Sequence, residues 1–302
     1  MSVLQGAAPA AMRERDLPTA RGRFAALDNG TFDNGIDDNN DGRPPLLALH
    51  GWLDNAASFA PMAPLLAHYR LVALDMPGHG RSFHYPDDAE YSLFSTILDI
   101  LAAADALGWE RFALLGHSMG GAISSLVAAA APERVSALHL IEALGPLSAD
   151  APSTAERLQD AVTRRRALDV TRKRVFNDLD LAVQARMLTP VAAVDEPTAR
   201  LLVARGVREV EGGYLWSSDA RLTLPTAVRM TEEQVQACLR AIRCPVRLLV
   251  ADPPPPYFTP DLRDARVACV PGLQLTVLPG GHHLHMTHPA ETVAALGLSP
   301  PP

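Results

Sequence analysis

Cysteine is scarce in this 302-residue chain, which carries only Cys238, Cys244 and Cys269. An odd count without paired spacing excludes a disulfide framework and a zinc knuckle, and suits reduced thiols in a cytoplasmic protein. Lysine is scarcer still: Lys173 is alone among 27 cations, a skew that reads as genome composition. Positive charge is in deficit, with a net charge of −7. That disfavours a nucleic-acid partner, because phosphate binding needs a basic surface. No hydrophobic run approaches the roughly 18 residues of a membrane span. Even the apolar stretch 91–109 contains Asp99 and Asp105, and the opening MSVLQGAAPAAMRERD lacks the apolar core of a secretory leader. These absences predict a soluble, cytoplasmic protein that binds neither membrane nor nucleic acid. Apolar residues, by contrast, make up 48% of the chain, enough for a sizeable core and too many for a disordered chain.

Short apolar runs ending in Gly or Asp alternate with longer helical periods, the pattern of a mostly parallel sheet covered on both faces. Strands are expected at 46–50, 70–75, 111–115, 135–141, 246–250 and 273–278. Helices are expected at 54–68, 92–107 and 119–130. Between Leu144 and about Arg243 the alternation breaks into helical periods without a clear strand, too long for a simple crossover. This reads as a helical cap inserted over the C-terminal strand ends, where open α/β sheets bind ligands. The expected division is a core at 1–145, a cap at 146–240 and the rest of the core at 241–302.

The strongest local signal is Gly116-His117-Ser118-Met119-Gly120, which follows a strand and opens a helix. A turn this tight strains its central residue and exposes the Ser118 hydroxyl above the sheet, while flanking glycines let the backbone approach closely. The bland alternative is a serine that merely caps the helix. His50-Gly51-Trp52 ends an earlier strand, and its loop can aim the Trp52 amide beside that of Met119 to form a two-donor oxyanion hole. Trp52, His117 and His50 are candidates to line the substrate-binding pocket, with a structural role the alternative for His50. A third segment, Gly280-Gly281-His282-His283-Leu284-His285-Met286-Thr287-His288-Pro289, crowds four histidines together. Thr287 stands where a metallo-hydrolase ligand set needs Asp, so no metal is expected. One catalytic imidazole, His282 on a glycine-hinged loop, is the preferred reading, with His283, His285 and His288 left to packing or surface.

These segments, with Asp75…Gly78-His79-Gly80-Arg81-Ser82, resemble the α/β-hydrolase superfamily from about residue 20 to 297. HGWLDNAASF at 50–59 and GGYLWSSD at 212–219 resemble its serine hydrolase-like protein subgroup. The resemblance implies an eight-stranded, mostly parallel sheet flanked by helices, an inserted cap, no cofactor, and a triad in the order Ser, acid, His. It also implies ester rather than epoxide or haloalkane chemistry, since relatives of the latter kinds place Asp, not Ser, at the elbow.

The acid is where the chain departs from its relatives. The superfamily's usual Asp follows the seventh strand, and that position here is Pro254. Two substitutes exist: Asp252, two residues early, and Glu142, which ends the sixth strand as the acid of haloalkane dehalogenases does. A Glu closing a buried apolar strand needs a partner, so Glu142 is preferred. The expected activity is hydrolysis of a carboxylic ester or related acyl bond in a small-molecule substrate, by Ser118, His282 and Glu142. Acyl transfer, C–C bond hydrolysis and ligand binding without turnover are the alternatives, and oligomeric state is left open. Asp37-x-Asn39-x-Asp41-Gly42 resembles half of a calcium loop but lacks its closing Glu, so an acidic loop is preferred. The cluster Arg164–Arg166 with Arg172–Arg174 reads as a solvated helix face, with attraction of an anionic substrate the alternative.

Overall fold

The apolar runs become the middle of one eight-stranded sheet in the computed structural model, which describes residues 12–30, 42–169, 174–189 and 193–300 and the backbone of 32–33 and 36–37. Its strands are β1 (Arg13–Thr19), β2 (Gly22–Asp28), β3 (Pro45–Leu49), β4 (Arg70–Leu74), β5 (Phe112–His117), β6 (Val135–Ile141), β7 (Val246–Asp252) and β8 (Gln274–Pro279). Their spatial order is β1-β2-β4-β3-β5-β6-β7-β8. β2 pairs antiparallel with both β1 and β4, and every other pairing is parallel. Parallel strands covered on both faces need consecutive apolar residues. In β3, Leu47 and Leu49 enter one core while Leu46 and Ala48 enter the other, all four without exposed surface.

Helices α1 (Leu93–Ala106) and α2 (Met119–Ala130) fall where their periodicity predicts. The expected helix at 54–68 does not form. Pro61 and Pro64 remove backbone donors there, and the segment makes two 3₁₀ turns instead, Ala56–Phe59 and Ala63–Leu66. The sheet also gains the β1–β2 hairpin, which no apolar run announces, because edge strand β1 buries only Leu17.

The inserted segment holds α3 (Thr154–Ala167), α4 (Leu179–Met187) and α5 (Glu196–Gly206), but it is not wholly helical. An antiparallel hairpin, Val207–Val210 with Gly213–Trp216, turns at Gly212, whose φ of 85° suits glycine. α6 (Glu232–Arg240), the last helix within the expected cap at 146–240, buries Val235 and Leu239 in the main core and packs on α2. α7 (Pro260–Val267), α8 (Leu284–Thr287) and α9 (Pro289–Ala295) complete the core.

Buried polar ties bind the insertion to the sheet. Arg186 reaches Asp54 at 2.7 Å, Arg205 reaches Asp75 at 2.9 Å, and the Tyr91 hydroxyl donates to Asp219 at 2.9 Å. α3 buries no residue; its Arg164 pairs with Asp160, and Arg165 donates to the Asp87 carbonyl. Arg172 and Lys173, like the acidic loop through Asp37, Asn39 and Asp41, lie outside the described residues, save for the Asp37 backbone. No helix among the described residues is long and apolar enough to cross a membrane.

Candidate active site

Ser118 sits between the last residue of β5 and the first of α2, with φ 53° and ψ −115°. A non-glycine residue held at positive φ costs energy that the surrounding packing must hold in place. Two glycines permit that packing: a Cβ at Gly116 would lie 2.6 Å from the Gly121 Cα, and one at Gly120 would lie 2.0 Å from the Leu49 carbonyl oxygen. The Ser118 side chain makes no cap hydrogen bond to its helix, which argues against the capping alternative, and the residue is partly exposed. The neighbouring amides are committed, Ser118 N–H to the Ile141 carbonyl at 2.8 Å and Gly120 N–H to that of His50 at 3.1 Å. Between them the Met119 amide, in the first helical turn, is one of the donors a helix leaves open to a ligand.

Glu142 follows β6 with φ 64° and has no exposed surface. Its N–H donates to the Leu249 carbonyl at 2.9 Å, which ties it to β7. One carboxylate oxygen accepts from Ala251 N–H, and the other lies 3.1 Å from His282 Nδ1. The structure thus brings Glu142 to His282. Asp252 stands exposed at the end of β7; its carbonyl accepts from Gly280 N–H at 3.2 Å, and its carboxylate makes no hydrogen bond to His282. Buried Arg266 in α7 braces the chain leaving Glu142, donating to the carbonyls of Leu144 at 2.8 Å and Pro146 at 2.9 Å while paired with Glu232 at 2.7 Å.

His50 and His117 are not pocket residues, which corrects the expectation for both. Each is fully buried and holds backbone in place. His50 Nε2 accepts from Met76 N–H at 3.0 Å while Nδ1 lies 2.8 Å from the Gly51 carbonyl, and burial lowers its pKa to about 4. His117 Nε2 lies 2.8 Å from the His282 carbonyl, so it carries the proton and donates. Burial, reinforced by the neighbouring His285, His282 and His283, pushes the His117 pKa well down and keeps the ring neutral. The residue before Ser118 therefore pins the backbone of His282. Trp52 keeps 42% of its surface exposed, and its indole N–H donates to the Leu222 carbonyl of the insertion at 2.9 Å. The next residue, Leu53, has φ 60°, marking the same loop as a tight one.

The remaining histidines divide as packing and surface. His285 is buried with Nε2 3.1 Å from Ser58 Oγ, and His288 is exposed. His283 Nε2 meets Asp54 at 2.9 Å. Asp54, His117 and His283 place ligand atoms within 4.8 Å of one another, the only such group among the described residues. The cation there is a side chain, however: Arg186 lies 2.7 Å from Asp54 and 3.4 Å from His283 Nε2. Burial alone would raise the Asp54 carboxyl, but His283 and Arg186 hold it well below the usual range. A guanidinium in contact with both donors opposes a second positive charge, so the residues present do not fit a metal ion.

Sequence reasoning missed three residues that lie beside these groups. Tyr257 places its hydroxyl 3.2 Å from His282 Nε2 and 3.4 Å from Nδ1, and it follows the proline run 253–256 that reads as mere low complexity. Asp54 and Arg186 meet across 132 positions, and nothing local signals their pairing.

A profile for the α/β-hydrolase fold matches residues 44–194. A probable serine hydrolase of Drosophila melanogaster is 34% identical over 82% of this chain and 78% of its own length. The crystal structure of a hypothetical protein from Pseudomonas aeruginosa PAO1 is 41% identical, with a TM-score of 0.85 over 94% of this chain and 97% of the other. A thioesterase domain from the curacin biosynthetic pathway superposes with a TM-score of 0.78 at 25% identity, covering 95% of this chain and 99% of the domain. With its elbow, its sheet order and these relatives, the chain belongs to the α/β-hydrolase family, among the serine hydrolase-like proteins.

Proposed function

We propose that the protein is a serine hydrolase that cleaves a carboxylic ester or related acyl bond through a covalent acyl-enzyme. The observation that carries this reading is His282 Nδ1 facing the fully buried Glu142 carboxylate at 3.1 Å, in a chain that also holds Ser118 strained and uncapped at its elbow. A carboxylate at Nδ1 keeps the proton there and leaves the Nε2 lone pair as the base. In the reaction His282 Nε2 takes the Ser118 proton as Oγ attacks the acyl carbon. The carbonyl π electrons pass to oxygen, and the Trp52 and Met119 amides stabilise that oxyanion. Glu142 stabilises the imidazolium, which then protonates the leaving alcohol or thiol. Water, deprotonated by the same His282, releases the acid and restores Ser118.

The insertion acts as the cap in this reading. Trp52 lies at the junction, and its partial exposure and the indole bond to the insertion support a role in substrate binding. The approach of Glu142 to His282 supports Glu142 as the acid in place of one in the turn after β7, and favours turnover over binding alone. The thioesterase domain among the structural relatives supports acyl hydrolysis as the reaction class. The test is labelling with a fluorophosphonate probe beside hydrolysis of p-nitrophenyl esters of increasing chain length. Wild type is expected to label and turn over, and Ser118→Ala to do neither. An unlabelled, inactive wild type would overturn the assignment, and products formed with an acceptor other than water would redirect it to acyl transfer.

A further inference from the structure

Four segments far apart in the chain meet at one buried carboxylate. One oxygen of Asp54 accepts from Arg186 of α4 at 2.7 Å, and the other accepts from His283 Nε2 at 2.9 Å, with His117 Nδ1 3.8 Å away. The Asp54 N–H donates to the Gly51 carbonyl at 3.1 Å and closes the turn that carries Trp52. A Cβ at Gly51 would lie 2.8 Å from His117 Nδ1 and 3.0 Å from an Asp54 carboxylate oxygen, so a side chain there would part this turn from the elbow. His117, the residue before Ser118, donates to the His282 carbonyl at 2.8 Å. The peptide joining His282 to His283 is thus held at its carbonyl by the elbow, and through the His283 ring by Asp54.

We propose that Asp54 is a positioning residue for acyl hydrolysis: it locks the Trp52 turn and the His282 loop to each other, and Arg186 extends that lock to the insertion. The proposal rests on the serine hydrolase reading. A buried ion pair is a poor route to stability, because desolvation offsets the attraction and apolar residues of like volume often serve better. What the cluster adds is direction: a carboxylate between two donors fixes both in space, as an apolar contact does not. Asp54 makes no hydrogen bond to Ser118 or His282, and acts through its own turn and through His283. The next residue repeats the pattern, the Asn55 side-chain amide donating to the Leu202 carbonyl of α5 at 2.8 Å. Reaction geometry tolerates little error, since a misplacement of about 1 Å costs on the order of 10²-fold in rate.

The test compares Asp54→Asn, Arg186→Met and Arg186→Lys with Arg70→Met. Arg70 is also buried and ion-paired, to Asp28 at 2.6 Å, but it begins β4, at the end of the parallel strands remote from Ser118. Asparagine keeps the shape of Asp54 but turns a donor toward one of two donors. kcat and KM for a p-nitrophenyl ester are measured on each variant well below its own melting temperature. Asp54→Asn and Arg186→Met are expected to lose about 10- to 100-fold in kcat, with KM changed less than about threefold. Arg186→Lys is expected to recover most of that loss, and Arg70→Met to melt lower while keeping kcat within about twofold. Asp54→Asn and Arg186→Met break the cluster from opposite sides, so either one, folded, decides. A kcat within about twofold of wild type overturns the proposal, as does a loss confined to KM or one that Arg70→Met reproduces. The serine hydrolase reading survives each of those results. If wild type neither turns over nor labels with a fluorophosphonate, that reading falls and this one with it.

Discussion

Glu142→Gln tests the site at its most constrained point. Both carboxylate oxygens face donors, Ala251 N–H on one side and His282 Nδ1 on the other, so the site demands two acceptors. Glutamine has one acceptor and one donor. If its oxygen faces Ala251, its NH₂ faces His282, Nδ1 must lose its proton, and Nε2 carries the proton that should come from Ser118. If its oxygen faces His282, the NH₂ opposes Ala251 N–H in a site without exposed surface, at a cost of about 1–3 kcal/mol. The first arrangement is preferred, and an inverted tautomer of this kind lowers kcat on the order of 10⁴-fold. Asp252→Asn changes an exposed side chain that does not reach His282, so its effect is at most about twofold. The assay is steady-state hydrolysis of p-nitrophenyl acetate, with thermal melts as a folding control. Retention of about a tenth or more of kcat by a folded Glu142→Gln, with inactivation by Asp252→Asn, refutes the reasoning.

Three further outcomes follow from buried groups. Burial lowers the pKa of His50 and His139 to about 4 and that of His79 to about 3. Their stabilising contribution is complete above the unfolded value of about 6.5 and is lost as pH falls toward 4, at up to ~1.4 kcal/mol per pH unit for each. Asp54 works in a lower window: its depressed pKa contributes stability that declines only below about pH 4. The melting temperature is therefore expected to fall steeply between pH 6.5 and 4.5, and a flat profile there contradicts the assignment of neutral buried histidines. Gly120→Ala forces a Cβ to 2.0 Å from the Leu49 carbonyl, so no folded, soluble protein is expected; a melt resembling wild type shows that the elbow has slack. Arg186→Met leaves the Asp54 charge buried without its guanidinium partner, beside only the imidazoles of His283 and His117, at a cost of about 3 kcal/mol in denaturant titrations, and an unchanged midpoint shows that the tie contributes nothing.

Short-range chemistry settled much of this protein from its residues alone. The apolar runs of β3 to β7, the glycines around Ser118 and the glycine-hinged His282 loop each impose their structure within a few positions, so period and spacing expose them. The β1–β2 hairpin, the hairpin in the insertion and the proline-broken turns at 56–66 carry weaker local signals and are shaped by what they pack against. That α6 packs on α2 and buries Val235 and Leu239 in the main core is not revealed by period alone.

The buried setting of its strand already favoured Glu142 over Asp252 in the sequence, but the contact that supports it belongs to the tertiary structure. Both residues end strands beside the histidine loop. A positive φ at Glu142 and the bond from its N–H to β7 turn one side chain inward, while the other remains in solvent. The same holds for Asp54 with Arg186 and for Tyr257 with His282. These pairs are made by chain segments distant in sequence, and the hydrogen bonds that define them exist only once the sheet has brought the segments together.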